Sequence, residues 1–462
     1  MKRSAEKALT DWINNESRKP LIIRGARQVG KSTLVRKFAE SSKLRLYEIN
    51  LEKNLELDDI FKTLDVKRIC QELEGLLEQK INPQHALLFL DEIQATPHAL
   101  QALRYFYEDY PQLAVVSAGS LLEFALADLH FSMPVGRVEY LYLGPLTFEE
   151  YLFEAKPNLL SYIRDFDFNN PIPSTVHQKL LNLQREYMLI GGMPEAVDFY
   201  INKQDINLSK GVLQSIISTY QDDFSKYATR KSLLRLQKVF RSIPKMIGQK
   251  VIYSRVLKDE TAREVRTTID LLIKAKIISP VFHSDCGGIP LAADVDDHVY
   301  KPIYLDIGLL NRMFGIDLTS IRNMDERELV NEGPLAEQFI GQHLFYKIDL
   351  KEPPGLFYWL REKKQTNAEV DYVISQGNLV VPIEVKSGKS GTMKSLLQFV
   401  YLKKIQMGVR FDLNLASIQT VSHKLKLSDN SVTDVTYSLI SLPLYLVGQL
   451  DRIIMEYRQR DS

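Results

Sequence analysis

The sequence predicts an α/β protein of three modules along its 462 residues: a parallel-sheet domain built to hold phosphates, a basic helical module, and a second α/β domain at the carboxyl end. Three observations predict it. Residues 21–33, LIIRGARQVGKST, read as a strand, a glycine loop and the start of a helix. Between Lys226 and Lys276, fourteen Lys/Arg stand against four Asp/Glu, a local excess of ten in a chain of formal net charge +1. Near the end, AEVDYVI (368–374) and NLVVPIEVKSG (378–388) read as two strands joined by a tight turn, carrying Asp371, Glu384 and Lys386.

Bulk numbers agree with that count. At roughly 100–200 residues per domain the length implies about three cores, and 45% apolar with 25% charged residues is a globular composition. Cys70 and Cys286 are far apart and lack metal or disulfide spacing, which excludes a disulfide scaffold and a structural zinc. No apolar run reaches the ~18 residues of a membrane span, and the charged N-terminus holds no signal-peptide core, so the expectation is a cytoplasmic protein with no membrane partner.

In the first module (1–150), Gly25-x4-Gly30-Lys31-Ser32 follows an apolar strand and opens a helix, the context a phosphate-binding loop requires. Backbone N–H groups of Gly25, Ala26, Arg27, Gln28, Val29 and Gly30 would wrap the phosphates of ATP at the positive end of the helix. Lys31 would reach the β- and γ-phosphates, Ser32 would ligate Mg²⁺, and Thr33 would lie near the α-phosphate. HALLFLDEIQ (85–94) ends an apolar strand in two acids: Asp91 for Mg²⁺ through water, Glu92 as general base for the attacking water. Strands at 44–51, 113–120 and 138–146 alternate with helices, which implies a parallel sheet covered on both faces. Ser117 and Ser120 end the strand next to the acidic one, with Ser120 favoured as the hydroxyl near the γ-phosphate.

GARQVGKST, LLFLDEIQ, SAGSLLEF, VGRVEYLYLGPLTFEEYL and GGMPEAV together resemble the AAA+ branch of P-loop ATPases, and within it a widespread prokaryotic group of AAA-type ATPases. The resemblance implies a three-layer αβα core with a helical lid, here 151–225. It also implies that Arg137 serves as a phosphate sensor or arginine finger; the plain alternative is a surface arginine at a strand start.

The basic module (226–310) shows three helical patterns, a strand, Gly287-Gly288 and a returning strand at 300–306, which match a winged helix-turn-helix. Residues 259–278 would hold its recognition helix, with Arg263 and Arg266 facing duplex DNA. The alternative is a protein-contact module with a solvated basic face.

A linker (311–330) leads to the last domain (331–462). Alternation along a strand puts Glu384 and Lys386 on one face, and the SQGN turn (375–378) brings Asp371 beside Glu384. With an amphipathic helix carrying Glu337 before them and a helix carrying Gln398 after, the set resembles the PD-(D/E)xK restriction-endonuclease-like fold, although Val370 rather than Pro precedes Asp371. The resemblance implies Asp371 and Glu384 as ligands of Mg²⁺ or Mn²⁺, Glu337 as a supporting acid, Lys386 orienting the attacking water, and Gln398 as an accessory. The bland reading of Glu384-x-Lys386 is a structural ion pair. Three functions stay open: an ATP hydrolase acting on DNA with a metal-dependent nuclease domain, a nucleotide-driven switch that binds DNA or a protein partner without cutting, and a protein-interaction ATPase whose winged helix never touches DNA. Oligomeric state is open too, a homo-oligomer included.

Overall fold

The structure, a computed structural model, describes residues 1–125, 136–315, 332–347, 353–362, 367–388, 393–426 and 431–461. Most of the expected linker, 316–330, lies outside them.

Among the described residues, five short strands make the first sheet: β1 (Leu21–Arg24), β2 (Arg45–Asn50), β3 (Ala86–Asp91), β4 (Ala114–Gly119) and β5 (Glu139–Tyr142). Their order is β2-β3-β4-β1-β5 and every pairing is parallel. Because strand side chains alternate, Ile22, Leu88, Leu90 and Val115 enter a core with helices Val66–Leu77 and Pro97–Asp109. Leu21, Ile23, Leu87, Phe89 and Val116 enter the opposite core with helices Lys31–Ser41 and Ile206–Tyr227. Strands buried on both faces read as continuous apolar runs, as LIIR and ALLFL do.

Among the described residues, the second sheet has eight strands. They are β6 (Ile278–Ser284), β7 (Val295–Tyr304), β8 (Phe357–Arg361), β9 (Ala368–Gln376), β10 (Leu379–Val385), β11 (Met407–Asp412), β12 (Ser417–Lys426) and β13 (Val432–Pro443), in the order β12-β13-β11-β10-β9-β8-β6-β7. The hairpin assigned by sequence to the basic module is therefore part of the C-terminal sheet: β6 runs parallel to β8, pairing Phe282 with Phe357 and His283 with Tyr358. A lone two-stranded hairpin is marginal in water, and β8 supplies it a third strand. The expected break between these two modules does not divide their hydrogen bonding.

Helix Glu332–Lys347 also departs from expectation. From Leu335 to Phe345 it is buried nearly all round rather than amphipathic, because Gln338, Gln342 and His343 face protein. The Gln338 side-chain amide brackets Tyr304, accepting from its N–H and donating to its C=O, both at 2.8 Å. Gln342 Oε1 accepts from Ile307 N–H at 2.9 Å. His343 Nε2 accepts from Phe148 N–H at 2.8 Å while Nδ1 donates to the Phe339 carbonyl at 2.7 Å.

Burial holds the His343 imidazole neutral, pushed down to about 4. Unfolded, it would take a proton near its ordinary value of ~6.5, so its stabilisation is complete above that pH and is lost as pH falls from there to about 4. Asp306, pushed up to about 6 by burial, works in the opposite sense over an overlapping range: its contribution is full below the ordinary carboxylate range and lost as pH rises through about 6. The two mask each other in the wild-type curve. The stability difference between wild type and His343→Gln should isolate the imidazole, shrinking by about 3 kcal/mol between neutral pH and pH ~4 in denaturant titrations. A constant difference would sink the assignment.

The GGMPEAV segment, which sequence reading gave no chemistry, is a crossing point. Asp306 caps helix Ile307–Phe314 through the N–H groups of Gly308 (3.0 Å) and Leu309 (3.1 Å), and also accepts from Gly192 N–H at 2.6 Å. Gly191 lies at φ +73°, and a Cβ there would stand 2.1 Å from Asp306 Oδ1. Among the described residues no helix is long and apolar enough to cross a membrane.

Candidate functional site

The loop after β1 turns into helix Lys31–Ser41 through Gly30, whose φ of 91° lies in the left-handed region that glycine tolerates. Gly25 is held so close to the chain after β5 that a Cβ would sit 2.2 Å from the Leu143 carbonyl oxygen. Lys31 is buried, its Nζ donating to the carbonyls of Gly25 (3.0 Å) and Ala26 (2.8 Å). Burial pushes its ammonium down to about 8, against the pull of Glu92 and Asp91.

Ser32 Oγ donates to Asp91 Oδ2 at 2.8 Å, so the two oxygens expected at Mg²⁺ stand together although 59 residues apart in sequence. The Ser32 hydroxyl on the first turn of the helix and the Asp91 carboxylate at the end of β3 are two hard oxygen donors that suit that ion. Burial raises the Asp91 carboxyl above its ordinary range, opposed by the Ser32 hydrogen bond. Glu92 adopts a left-handed backbone, φ 51°, and its Oε2 accepts from Gln94 Nε2 at 2.5 Å and Ser120 Oγ at 3.4 Å. Ser120 in turn accepts from Arg27 Nε at 3.1 Å. Ser117 lies inside the sheet with its hydroxyl on the Leu21 carbonyl, away from this chain of contacts. Thr33 is exposed and lines a small cleft with Gly30, Lys37 and Pro194.

Arg137 is elsewhere. It precedes β5, where Glu139 pairs with Leu21, whereas the loop leaves the sheet after Arg24 beside Tyr142. At ~3.3 Å per residue, roughly 15 Å of strand separate them. Its Nε pairs with Glu108 at 2.7 Å and its guanidinium lies 5.9 Å from the Tyr107 ring. Contact with the phosphate loop of its own chain is thereby corrected: loops after parallel strands gather at one end of the sheet, and a residue before a strand stands at the other.

Arg27 has a role that reading it as one more loop residue missed. Besides Ser120, it holds Asp223 of helix Ile206–Tyr227 at 2.8 Å, and Tyr220 on the same helix donates to the Arg27 carbonyl at 2.8 Å. That helix runs directly into the basic module. Arg3 anchors the loop's other side, donating to the carbonyls of Val29 (3.0 Å) and Gly144 (2.8 Å).

In the C-terminal sheet, pairing of β9 with β10 from Leu379–Gln376 to Ile383–Tyr372 sets Asp371 beside Glu384. Asp371 Oδ2 accepts from Val385 N–H at 2.7 Å, and Lys386 Nζ meets Glu384 Oε1 at 2.5 Å. Glu337 reaches the same place from its helix, and Gln398 lies on helix Lys394–Lys403 with Oε1 buried and without a hydrogen-bond partner among the described residues. Sequence reading missed Lys301 of β7. It is 2% exposed, its Nζ 2.8 Å from Glu369, 3.4 Å from Glu337 and 4.0 Å from Asp371. Burial lowers its pKa, but the charges of Glu337, Glu369 and Asp371 outweigh that and hold the ammonium well above its ordinary value. Burial and the Asp371 charge raise both Glu337 and Glu384. Among the described residues, no group of three or more His, Cys, Asp or Glu is disposed to hold a metal. Of the oxygens expected to bind one, Glu384 Oε1 faces Lys386, Asp371 Oδ1 lies 4.0 Å from Lys301 and Asp371 Oδ2 takes a backbone N–H, a set that fits a divalent ion poorly. The clue to Lys301 was a lysine inside the apolar strand YKPIYL.

Residues 17–152 match a family model described as an AAA domain. Residues 181–320 and 332–437 match two models described as domains of unknown function, DUF8612 and DUF4143. Among curated proteins, the chain is similar to "Uncharacterized protein MJ1637" of Methanocaldococcus jannaschii, 27% identical over 203 residues, covering 40% of this chain and 40% of that protein. The match thus spans under half the length of that relative. Among solved structures, C. elegans PCH-2 is 13% identical with a TM-score of 0.25, covering 42% of this chain and 56% of that one. AMPPCP-bound DnaA from Aquifex aeolicus is 12% identical with a TM-score of 0.21, covering 59% and 87%. The first module is an AAA-type domain with a P-loop.

Proposed function

We propose that the chain is an Mg²⁺-dependent ATPase switch that engages duplex DNA through its basic helical module. The carrying observation is Arg27, a phosphate-loop residue tied both to Ser120 beside Glu92 and to Asp223 on the helix entering that module. Bound Mg²⁺ would be held by Ser32 and Asp91 and would neutralise charge on the transferring phosphoryl group. Lys31 binds phosphate oxygens, and Glu92 polarises the attacking water. Any phosphate that displaces Ser120 or Arg27 pulls on Asp223 and hence on the helices beyond.

Support for the DNA face is chemical. Helices Arg230–Ser242, Tyr253–Val256 and Ala262–Lys274 precede the β6–β7 hairpin, the element order of a winged helix-turn-helix. Arg263, Arg266 and Lys274 are exposed along one side of the third helix, whereas Arg235 is consumed by Glu260 and Glu264 at 2.8 and 2.6 Å. For the C-terminal domain, β8–β11 with helices Glu332–Lys347 and Lys394–Lys403 support a restriction-endonuclease-like fold.

Fluorescence anisotropy with a short duplex tests this. Wild type should bind with a salt-dependent affinity that changes on adding ATP, and Lys31→Ala should lose the ATP effect. Arg263→Ala/Arg266→Ala should weaken binding at least tenfold and lower the log–log salt slope by about 2, near 0.9 for each phosphate no longer neutralised. If the double variant binds like wild type, the basic face meets a protein rather than DNA.

A further inference from the structure

We propose that Lys301 is the resident cation of the C-terminal acidic cluster, so that the cluster seats the β6–β7 hairpin and takes up no divalent metal. This goes beyond the ATPase reading and does not depend on it. An ammonium in a protein interior costs several kcal/mol unless it is paired and hydrogen-bonded. Lys301 is paired on every side: Glu369 and Glu337 within hydrogen-bond reach, Asp371 at 4.0 Å, and the rings of Tyr358 and Tyr372 at 5.1 and 5.7 Å. Its partners come from helix Glu332–Lys347 and from β8 and β9, while Lys301 comes from β7. The contacts therefore join the hairpin to the domain that comes after it in the chain.

The same geometry opposes a metal. Mg²⁺ or Mn²⁺ bonded to Glu337 and Asp371 at about 2.1 Å would lie within a few ångströms of the Lys301 ammonium, where like charges in a water-poor site repel strongly. Two further oxygens are engaged by the chain itself. Asp371 Oδ2 takes the Val385 N–H, and Glu384 Oε1 takes Lys386. Among the described residues Glu384 Oε2 is left buried without a hydrogen bond, one oxygen beside an ammonium already bound to its twin.

Mn²⁺ uptake by the full chain, followed by the EPR signal of the free ion, tests the proposal; an Asp91→Asn background silences the nucleotide site. With Lys301 intact, the Asp371→Asn change should leave uptake unaltered at millimolar Mn²⁺. Lys301→Met should gain one Mn²⁺ per chain and lose it again with Asp371→Asn. Uptake in the Lys301-intact protein that disappears with Asp371→Asn overturns the proposal, as does a folded Lys301→Met that gains no metal. If Lys301→Met does not fold, the triple variant Lys301→Met/Glu337→Gln/Glu369→Gln decides. Recovery of a cooperative melt supports the ammonium as counter-charge, and its failure to recover refutes it.

Discussion

Glu92→Gln should bind ATP within a few-fold of wild type and hydrolyse it 10²- to 10⁴-fold more slowly, the range of a general base removed from a water-activation step. The split between binding and turnover comes from position. The groups disposed to hold phosphate and Mg²⁺ are the loop backbone, Lys31, and the Ser32–Asp91 pair at 2.8 Å, none of which uses the Glu92 carboxylate. That carboxylate instead meets Gln94 and Ser120 at the end of β4. Glutamine preserves the shape and both contacts and removes only the proton acceptor. Steady-state hydrolysis with a fluorescent-nucleotide titration reads both quantities. Retention of more than a tenth of the wild-type kcat would remove Glu92 from the chemistry and leave its left-handed backbone without a catalytic purpose.

Asp306→Ala should destabilise the fold by about 3–5 kcal/mol, among the largest effects of any single change distant from the phosphate loop. Its side chain is wholly buried and satisfies the N–H groups of Gly192, Gly308 and Leu309 at 2.6, 3.0 and 3.1 Å. Each buried donor left without an acceptor costs about 1–3 kcal/mol, and a lost helix cap is worth about 1 kcal/mol. Relief from burying a carboxylate, which burial pushes up to about 6, offsets only part of this. Asp306→Asn keeps one oxygen acceptor and should cost less. Gly191→Ala should resemble Asp306→Ala, since a methyl would collide with the same carboxylate. Denaturant titration measures all three, and a loss below 1 kcal/mol for Asp306→Ala would show that this crossing carries no weight.

The features legible in the sequence were local ones. The phosphate loop needs thirteen consecutive residues, and the β9–β10 turn brings Asp371 to Glu384 over thirteen positions. Lys301 was invisible because its partners lie 36 and 68 residues downstream on other elements, and a lone lysine in an apolar strand names no partner. Arg137 was read from its neighbourhood in sequence, but a parallel sheet sets the residues entering a strand and those leaving it at opposite ends. The polar residues of helix Glu332–Lys347 mark a solvent face by periodicity. They are buried because Gln338, Gln342 and His343 each satisfy backbone groups elsewhere in the chain.

That last arrangement bears on how the chain is made. Phe148 opens an early helix, yet the ring that receives its N–H is synthesised 195 residues later, and the brackets on Tyr304 and Ile307 arrive about 35 residues after those positions. A nascent chain that has the whole nucleotide-binding sheet outside the ribosome still lacks the helix that closes its neighbours' hydrogen bonds. Contacts of such separation form slowly and leave apolar surface open while they wait. Synthesis should therefore pass through a long interval in which the first sheet is folded and the helices that follow it are loose, a window in which chaperones bind and proteases cut.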